Sequence, residues 1–203
     1  SSGCSVMDPR ALIEAAQRRG LDGVCVTDHY AIEGANVTQR LGREMGFPVF
    51  RGVEARADLG DMLVFGTYQD VPEGISLQDL CWHVHEVGGL VFAAHPFHMS
   101  GGPSLTLALE DRGLRLGEEW RQVAILRELD GIETVNGQVA AEANAKASSL
   151  ASGMQIPGIG GSDAHAPDMV GTAATHFPRP IASDAELVAA LKEGGFSAVR
   201  LAD

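Results

Sequence analysis

The sequence predicts a single α/β domain whose strands run parallel and meet at one face. Two observations predict this. Short apolar, β-branched runs alternate with helix-patterned stretches along the whole chain. No linker, fixed-period repeat or low-complexity tract divides residues 1–203, and 45% hydrophobic with 21% charged residues over 203 positions suits one sizeable core.

The elements follow in order. Asp8 is a good N-cap and Pro9 suits the first helical position; Leu12, Ile13 and Ala16 form an apolar face, and Gly20 ends the helix. "GVCVTDH" (23–29) is a β-branched run ending in Asp28 and His29. Residues 33–46 read as helical. "PVFRGVEAR" (48–56) is strand-like and carries Glu54, and "DMLVFGTY" (61–68) reads as a further strand. "SLQDLCWHVHEVGG" (76–89) is a helix capped by Ser76 and closed by glycines. "LVFAAHP" (90–96) is a strand ending in His95, "MSGGPS" (99–104) a loop, and 117–129 a helix. "GIETVNG" (131–137) is a strand ending in Asn136. Residues 139–152 are an alanine-rich helix, and "IPGIGGSDAH" (156–165) leads to Asp163 and His165. A well-capped helix over 183–195 and a last strand, "FSAVRL" (196–201), complete the pattern.

Five apolar runs thus end in His29, Glu54, His95, Asn136, and Asp163 with His165. In parallel α/β barrels the carboxyl ends of the strands share one face, so these side chains are expected to converge. A buried carboxylate needs a partner. Three imidazoles and two carboxylates suit zinc, manganese or iron.

Formal net charge is -12, which predicts repulsion of polyanions and no binding of long nucleic acid. A small phosphorylated substrate fits if a metal supplies local positive charge. Cys4, Cys25 and Cys81 have no zinc-finger spacing and suggest a reduced, cytoplasmic protein. No run is long enough to cross a membrane and no signal peptide is visible. The pattern does not bear on oligomeric state.

The pieces "GLDGVCVTDH", "RGVEA", "GGLVFAAHP", "GIETVNG" and "GGSDAH", in this order and spacing, resemble the PHP (polymerase and histidinol phosphatase) family. The resemblance implies a distorted (β/α)7 TIM-like barrel and a metal-dependent phosphoesterase with two or three divalent ions (Zn, Mn or Fe). It implies that His29 and His165 bind one outer metal, that Glu54 bridges two metals, that His95 binds the second and Asp163 the first. Asn136 stands where some members place another histidine. The family's opening strand, with two histidines one residue apart, is the first strand missing here; it is expected upstream of Ser1.

The implied reaction is attack of a metal-bound hydroxide on a small phosphomonoester or short nucleotide, with Glu54 and Asp163 as catalytic groups. Two alternatives are a C–N bond metallohydrolase of related barrel type and a degenerate, non-catalytic PHP-like binding module. Candidate substrate contacts are Arg56, His98, Asn136 and His176. Arg56 shares a strand side with Glu54, which favours it over Arg51 for binding phosphate. His98 either meets a substrate phosphate or is solvated, and His176 either borders the site or lies on the surface. Asp28 either orients a ligand or caps the next turn. Cys4 is either a third-metal ligand or an ordinary loop or buried cysteine. Residues 99–117 are either a lid or a long connection. His83 and His85 form a second His-x-His pair, but they sit mid-helix before a strand, so a structural role is expected.

Overall fold

The computed structural model describes residues 7–98, 104–114 and 123–201. The elements are α1 (Pro9–Arg18), β1 (Val24–Val26), α2 (Glu33–Met45), β2 (Val49–Ala57), β3 (Gly60–Phe65), α3 (Leu77–Glu86), β4 (Leu90–Ala93), α4 (Leu105–Glu110), a 3-10 turn (Ala124–Glu128), β5 (Gly131–Asn136), α5 (Ala141–Met154), β6 (Gly158–Gly161), β7 (Ala173–His176), α6 (Asp184–Glu193) and β8 (Ser197–Arg200).

Helix starts follow the capping chemistry. The Asp8 carboxylate accepts from the N–H groups of Arg10 and Ala11 at 3.0 and 3.1 Å. Ser76 Oγ accepts from Asp79 N at 3.0 Å, and Ser183 Oγ from Glu186 N at 3.2 Å. Each satisfies a backbone donor that the first helical turn leaves open. Helix α2 lacks a side-chain cap at Ile32. There the Asp28 carboxylate packs on Gly34, leaving no room for a β-carbon. Burial raises its pKa.

Strands β1 to β6 form one sheet in sequence order. The β1–β2, β4–β5 and β5–β6 pairs are parallel, whereas β3 is antiparallel to both neighbours. The expectation of uniformly parallel strands is therefore corrected at β3. Only Asp58 and Leu59 separate β2 from β3, and so short a link cannot make the crossover that a parallel pair needs. Gly60, at φ +104°, takes the turn. Because β3 alone is reversed, β1, β2, β4, β5 and β6 still send their carboxyl ends to one face.

Of the distorted (β/α)7 barrel expected with its first strand missing, the described residues form a curled half-barrel sheet. Among the described residues β1 pairs only with β2, and β7 and β8 pair antiparallel with each other instead of extending the parallel ladder. β7 stands beside β6 through a side chain. Thr175 Oγ1 lies 3.0 Å from both Gly160 N and Gly160 O.

Period-two alternation divides the sheet faces. Val53, Ala55, Met62, Val64, Val91, Ala93 and Ile132 face outward into the main core with Leu77, Leu80, Leu105, Leu126 and Leu150. Phe50, Phe65, Leu90, Phe92 and Ile159 face inward, where Leu187 and Leu191 of α6 pack on them. Burying each of these inward phenylalanines stabilises the fold by roughly 1.5–3 kcal/mol. Nearer the carboxyl ends the same inward positions carry Glu54, Asp61 and Glu133.

Two elements differ from the sequence reading. Helix α4 lies within the stretch read as lid or connection, and its Leu105 and Leu109 are buried in the core. β7 was not expected. Of the helix expected over 117–129, residues 123–129 hold only the short 3-10 turn, and the rest lies outside the described residues, as do Cys4 and 99–103 of the loop. No helix among the described residues is long and apolar enough to cross a membrane.

Candidate metal centre

A cavity of about 1200 Å³ opens along the inner face of the sheet, with His29, Glu54, His95, Glu133, Asn136, Asp163 and His165 among its lining residues. Glu54 occupies its centre. Its Oε1 lies 3.2 Å from His95 Nε2, and its Oε2 lies 3.4 Å from His29 Nδ1. The β1 chain reaches Glu54 through a parallel bridge at His29, with Tyr30 N donating to the Glu54 carbonyl at 3.0 Å. One carboxylate thus offers an oxygen to each of two imidazoles from different strands.

Asp61 joins this group. One ligand atom from each of Glu54, Asp61 and His95 lies within 4.8 Å of the others. Asp61 is buried, stands opposite Arg56 in the β2–β3 ladder, and accepts from Arg56 Nε at 3.0 Å. Burial raises the Asp61 pKa; the Arg56 hydrogen bond opposes that, and the Glu54 charge adds to it.

Glu133 was also missed in the sequence. It is buried beside His95, whose backbone N–H donates to Oε2 at 2.9 Å. Burial pushes its carboxyl up to about 7, against the pull of His95 and of its hydrogen bonds from Asn136 and His95 N. Burial alone would lower the His95 pKa. Its hydrogen bond to Glu54 and the charges of Glu133, Glu54 and Asp163 outweigh that and push it up to about 9.

Each missed carboxylate had a signal. The "ADLGD" link carries Gly between two strand runs, a hairpin pattern that reverses the second strand and brings Asp61 to the site end. Glu133 is a lone charge inside an apolar run, which a strand keeps only where it has partners.

Asn136 reaches the same face as Glu133, although it lies three positions on, because the β5–β6 register shifts between Glu133 and Val135. Its Nδ2 donates to Glu133 Oε2 at 3.0 Å and to Asp163 Oδ2 at 3.3 Å, and its Oδ1 accepts from Gln138 N at 2.8 Å. The Asn136 amide, expected to contact substrate, is engaged here on Glu133, Asp163 and Gln138. His165 turns back, with Nδ1 3.0 Å from the Asp163 carbonyl, and is exposed at the mouth. His98 adjoins the site, its ring centroid 5.3 Å from that of His95.

His176 also lines this cavity, but not at the strand-end group. Thr175 meets Gly160 while Ser162 Oγ donates to Ala173 O, so β7 runs back along β6 and carries His176 towards the opposite end. Arg51 is held by Asp184, at 2.8 Å from Nε and 2.7 Å from Nη2. His85 pairs with Asp130 at 2.9 Å, and Asp130 accepts from Val91 N at the start of β4, the far end of the sheet. That geometry agrees with a structural role for His85.

The donor set fits divalent metal. Nδ1 of His95 is buried without a hydrogen-bond partner among the described residues, and the buried His29 Nδ1 faces Glu54 Oε2 at 3.4 Å without hydrogen-bond geometry. Orphaned imidazole nitrogens around shared carboxylates are the chemistry of a metal shell. Tyr30, His95 and Asp163 hold positive φ of 61°, 24° and 50° at the strand ends. Such backbone is unfavourable outside glycine and clusters at functional sites.

A curled α/β sheet that gathers imidazoles and carboxylates at its strand ends is the framework of a barrel-derived metal-binding protein. Residues 141–195 match the PHP-associated family model. An uncharacterized protein of Methanocaldococcus jannaschii is 31% identical over 132 residues, which are 65% of this chain and 68% of that one. The chain belongs to the PHP family.

The fold is similar to that of a Bifidobacterium adolescentis protein assigned as a metal-dependent phosphoesterase (TM-score 0.64, 17% identity, covering 94% of this chain and 92% of that one). It is also similar to Endonuclease Q in complex with a 27-mer duplex carrying an abasic lesion at the active site (TM-score 0.63, 16% identity, covering 97% of this chain and 56% of that one). The second likeness corrects the exclusion of long nucleic acid, since a protein of this fold takes a duplex. Net charge averages over the whole surface, whereas binding depends on the local field at the site.

Proposed function

We propose that this protein is a metal-dependent phosphoesterase. The observation that carries the reading is the Glu54 carboxylate shared between His29 and His95, with Asp61 beside it. His29, Glu54, Asp61, His95, Asp163 and His165 would hold two or three divalent ions, with zinc, manganese and iron all suited to the donors. Divalent ions bound there supply Lewis acidity, which activates water and neutralises charge on phosphoryl oxygens.

The chain's own groups do the rest. Glu54 and Asp163 are the proposed catalytic carboxylates; Glu54 would hold metal with His95 at one oxygen and His29 at the other. Arg56 uses Nε on Asp61, which leaves the outer edge of its guanidinium for a phosphoryl group. His98, beside His95, contacts the substrate at the mouth. The buried inner face of Phe50, Phe65 and Phe92 shields the floor from water.

The proposed substrate is a small phosphomonoester or short nucleotide. The test is a panel of aryl phosphate, mononucleotides, a duplex with an abasic site and an aryl amide, offered to protein loaded with Mn or Zn. We expect phosphoester turnover that a chelator abolishes. Turnover of the amide alone, or no phosphoester turnover at full metal loading, overturns the reading.

A further inference from the structure

We infer that Glu133 is a positioning residue of the metal centre: its one buried carboxylate locks the ends of β4, β5 and β6, and so sets where His95 and Asp163 stand. The inference rests on the metal reading above.

Glu133 is 4% exposed. Its Oε2 accepts from His95 N at 2.9 Å and from Asn136 Nδ2 at 3.0 Å. The same Asn136 Nδ2 reaches Asp163 Oδ2 at 3.3 Å. Its Oε1 lies over Gly161, where an added β-carbon would approach it to 2.6 Å. The carboxylate therefore touches three consecutive strand ends of the sheet.

A residue serving only to fill space here would be apolar, because burying a carboxylate costs several kcal/mol unless its hydrogen bonds are good. What those bonds hold is informative. His95 sits at φ +24°, a conformation a non-glycine residue keeps only when its surroundings over-determine it. The bond from His95 N to Glu133 is one such restraint. Asn136 carries the restraint on to Asp163, which is itself at φ +50°. Neither His95 nor Asp163 could relax without disturbing Glu133. Groups that orient metal ligands in this way typically change affinity by about 10–100-fold when altered.

Two variants reach the carboxylate from different sides. Glu133→Gln keeps the size and can seat its amide oxygen in the Oε2 place, but it removes the negative charge and so weakens both hydrogen bonds. Gly161→Ala pushes on Oε1 without altering any hydrogen-bonding group. Chelator-stripped wild type, both variants and His95→Gln, alone and combined with Glu133→Gln, are titrated with Mn²⁺ by calorimetry, with thermal melts alongside.

We expect each of Glu133→Gln and Gly161→Ala to weaken at least one metal equivalent by about 10–100-fold. In the His95→Gln background the Glu133 substitution should add little, because both act on one ion. A purely structural Glu133 would lower the melting temperature and leave Mn²⁺ affinity alone. Wild-type affinity in both variants overturns the inference, as does full additivity with His95→Gln. Failure of both variants to fold assigns Glu133 to the core and overturns it equally. Failure of wild type to take up metal is a different result, and it sinks the metal reading itself.

Discussion

Asp61 stands directly across the β2–β3 ladder from Arg56, with Arg56 Nε 3.0 Å from Asp61 Oδ1. Because β3 is reversed, its first residues lie beside the last residues of β2, and an acid that opens a strand arrives where the other strands end. The pair brings a carboxylate to Glu54 and His95, held there by the Arg56 guanidinium.

Asp61→Asn is accordingly expected to weaken metal binding, while Asp58→Asn, three residues earlier in the turn, is not. Asparagine keeps the shape and a hydrogen-bond acceptor for Arg56 but removes the charge. Metal content after purification without chelator checks this. Equal metal content in the two variants would contradict a ligand role for Asp61.

Glu54→Ala is expected to lower kcat/KM on an aryl phosphate by more than about 100-fold, and His98→Ala by less than about 10-fold. The first change removes the carboxylate shared by His29 and His95; the second removes a side chain beside His95. Both changes are read as differences in transition-state stabilisation from steady-state kinetics. A greater loss at His98 would move the centre of the chemistry away from Glu54.

Asp163→Asn and His165→Ala are expected to lose different ions. Asp163 is tied inward to Asn136, and His165 is exposed at the mouth. Crystal structures of the two metal-loaded variants show which ion goes; loss of the same ion from both would refute the assignment.

The metal-free protein is expected to lose stability as pH rises from about 6.5 to about 9. The His95 pKa is pushed up to about 9 from 6.5, so the folded state holds its proton more tightly than the unfolded chain. That stabilisation is complete below about 6.5 and is lost as pH rises through about 9. The full linkage is on the order of 3 kcal/mol. Glu133, pushed up to about 7 by burial, works in the same direction at lower pH: the folded state favours its protonated form, so stability falls as pH rises from about 4.5 to about 7. Thermal melts of chelated protein across this range test the sign, and His95→Gln should flatten the upper part. A melting temperature that rises from pH 6.5 to 9 would show that His95 is not held protonated by Glu54.

Much of this was already written in the residue pattern. Asp8, Ser76 and Ser183 announced three helix starts because capping is local: the side chain meets a backbone donor two or three residues on. His29, Glu54, His95 and Asp163 could be picked out because each closes an apolar run, and strand ends of one direction share a face. What the linear pattern left undecided depended on direction and register. The reversal at β3 brought Asp61 into the site, and the register shift in β5 turned Asn136 and Glu133 to the same side. The places of Asn136 and His176 depend on partners distant in sequence, Asp163 for one and the backward run of β7 along β6 for the other. The sequence by itself determined which residue types and local structures were available. Only the tertiary structure decided which carboxylates meet which imidazoles, because that follows from strand direction and pairing, and these are fixed by how the whole sheet curls around its core.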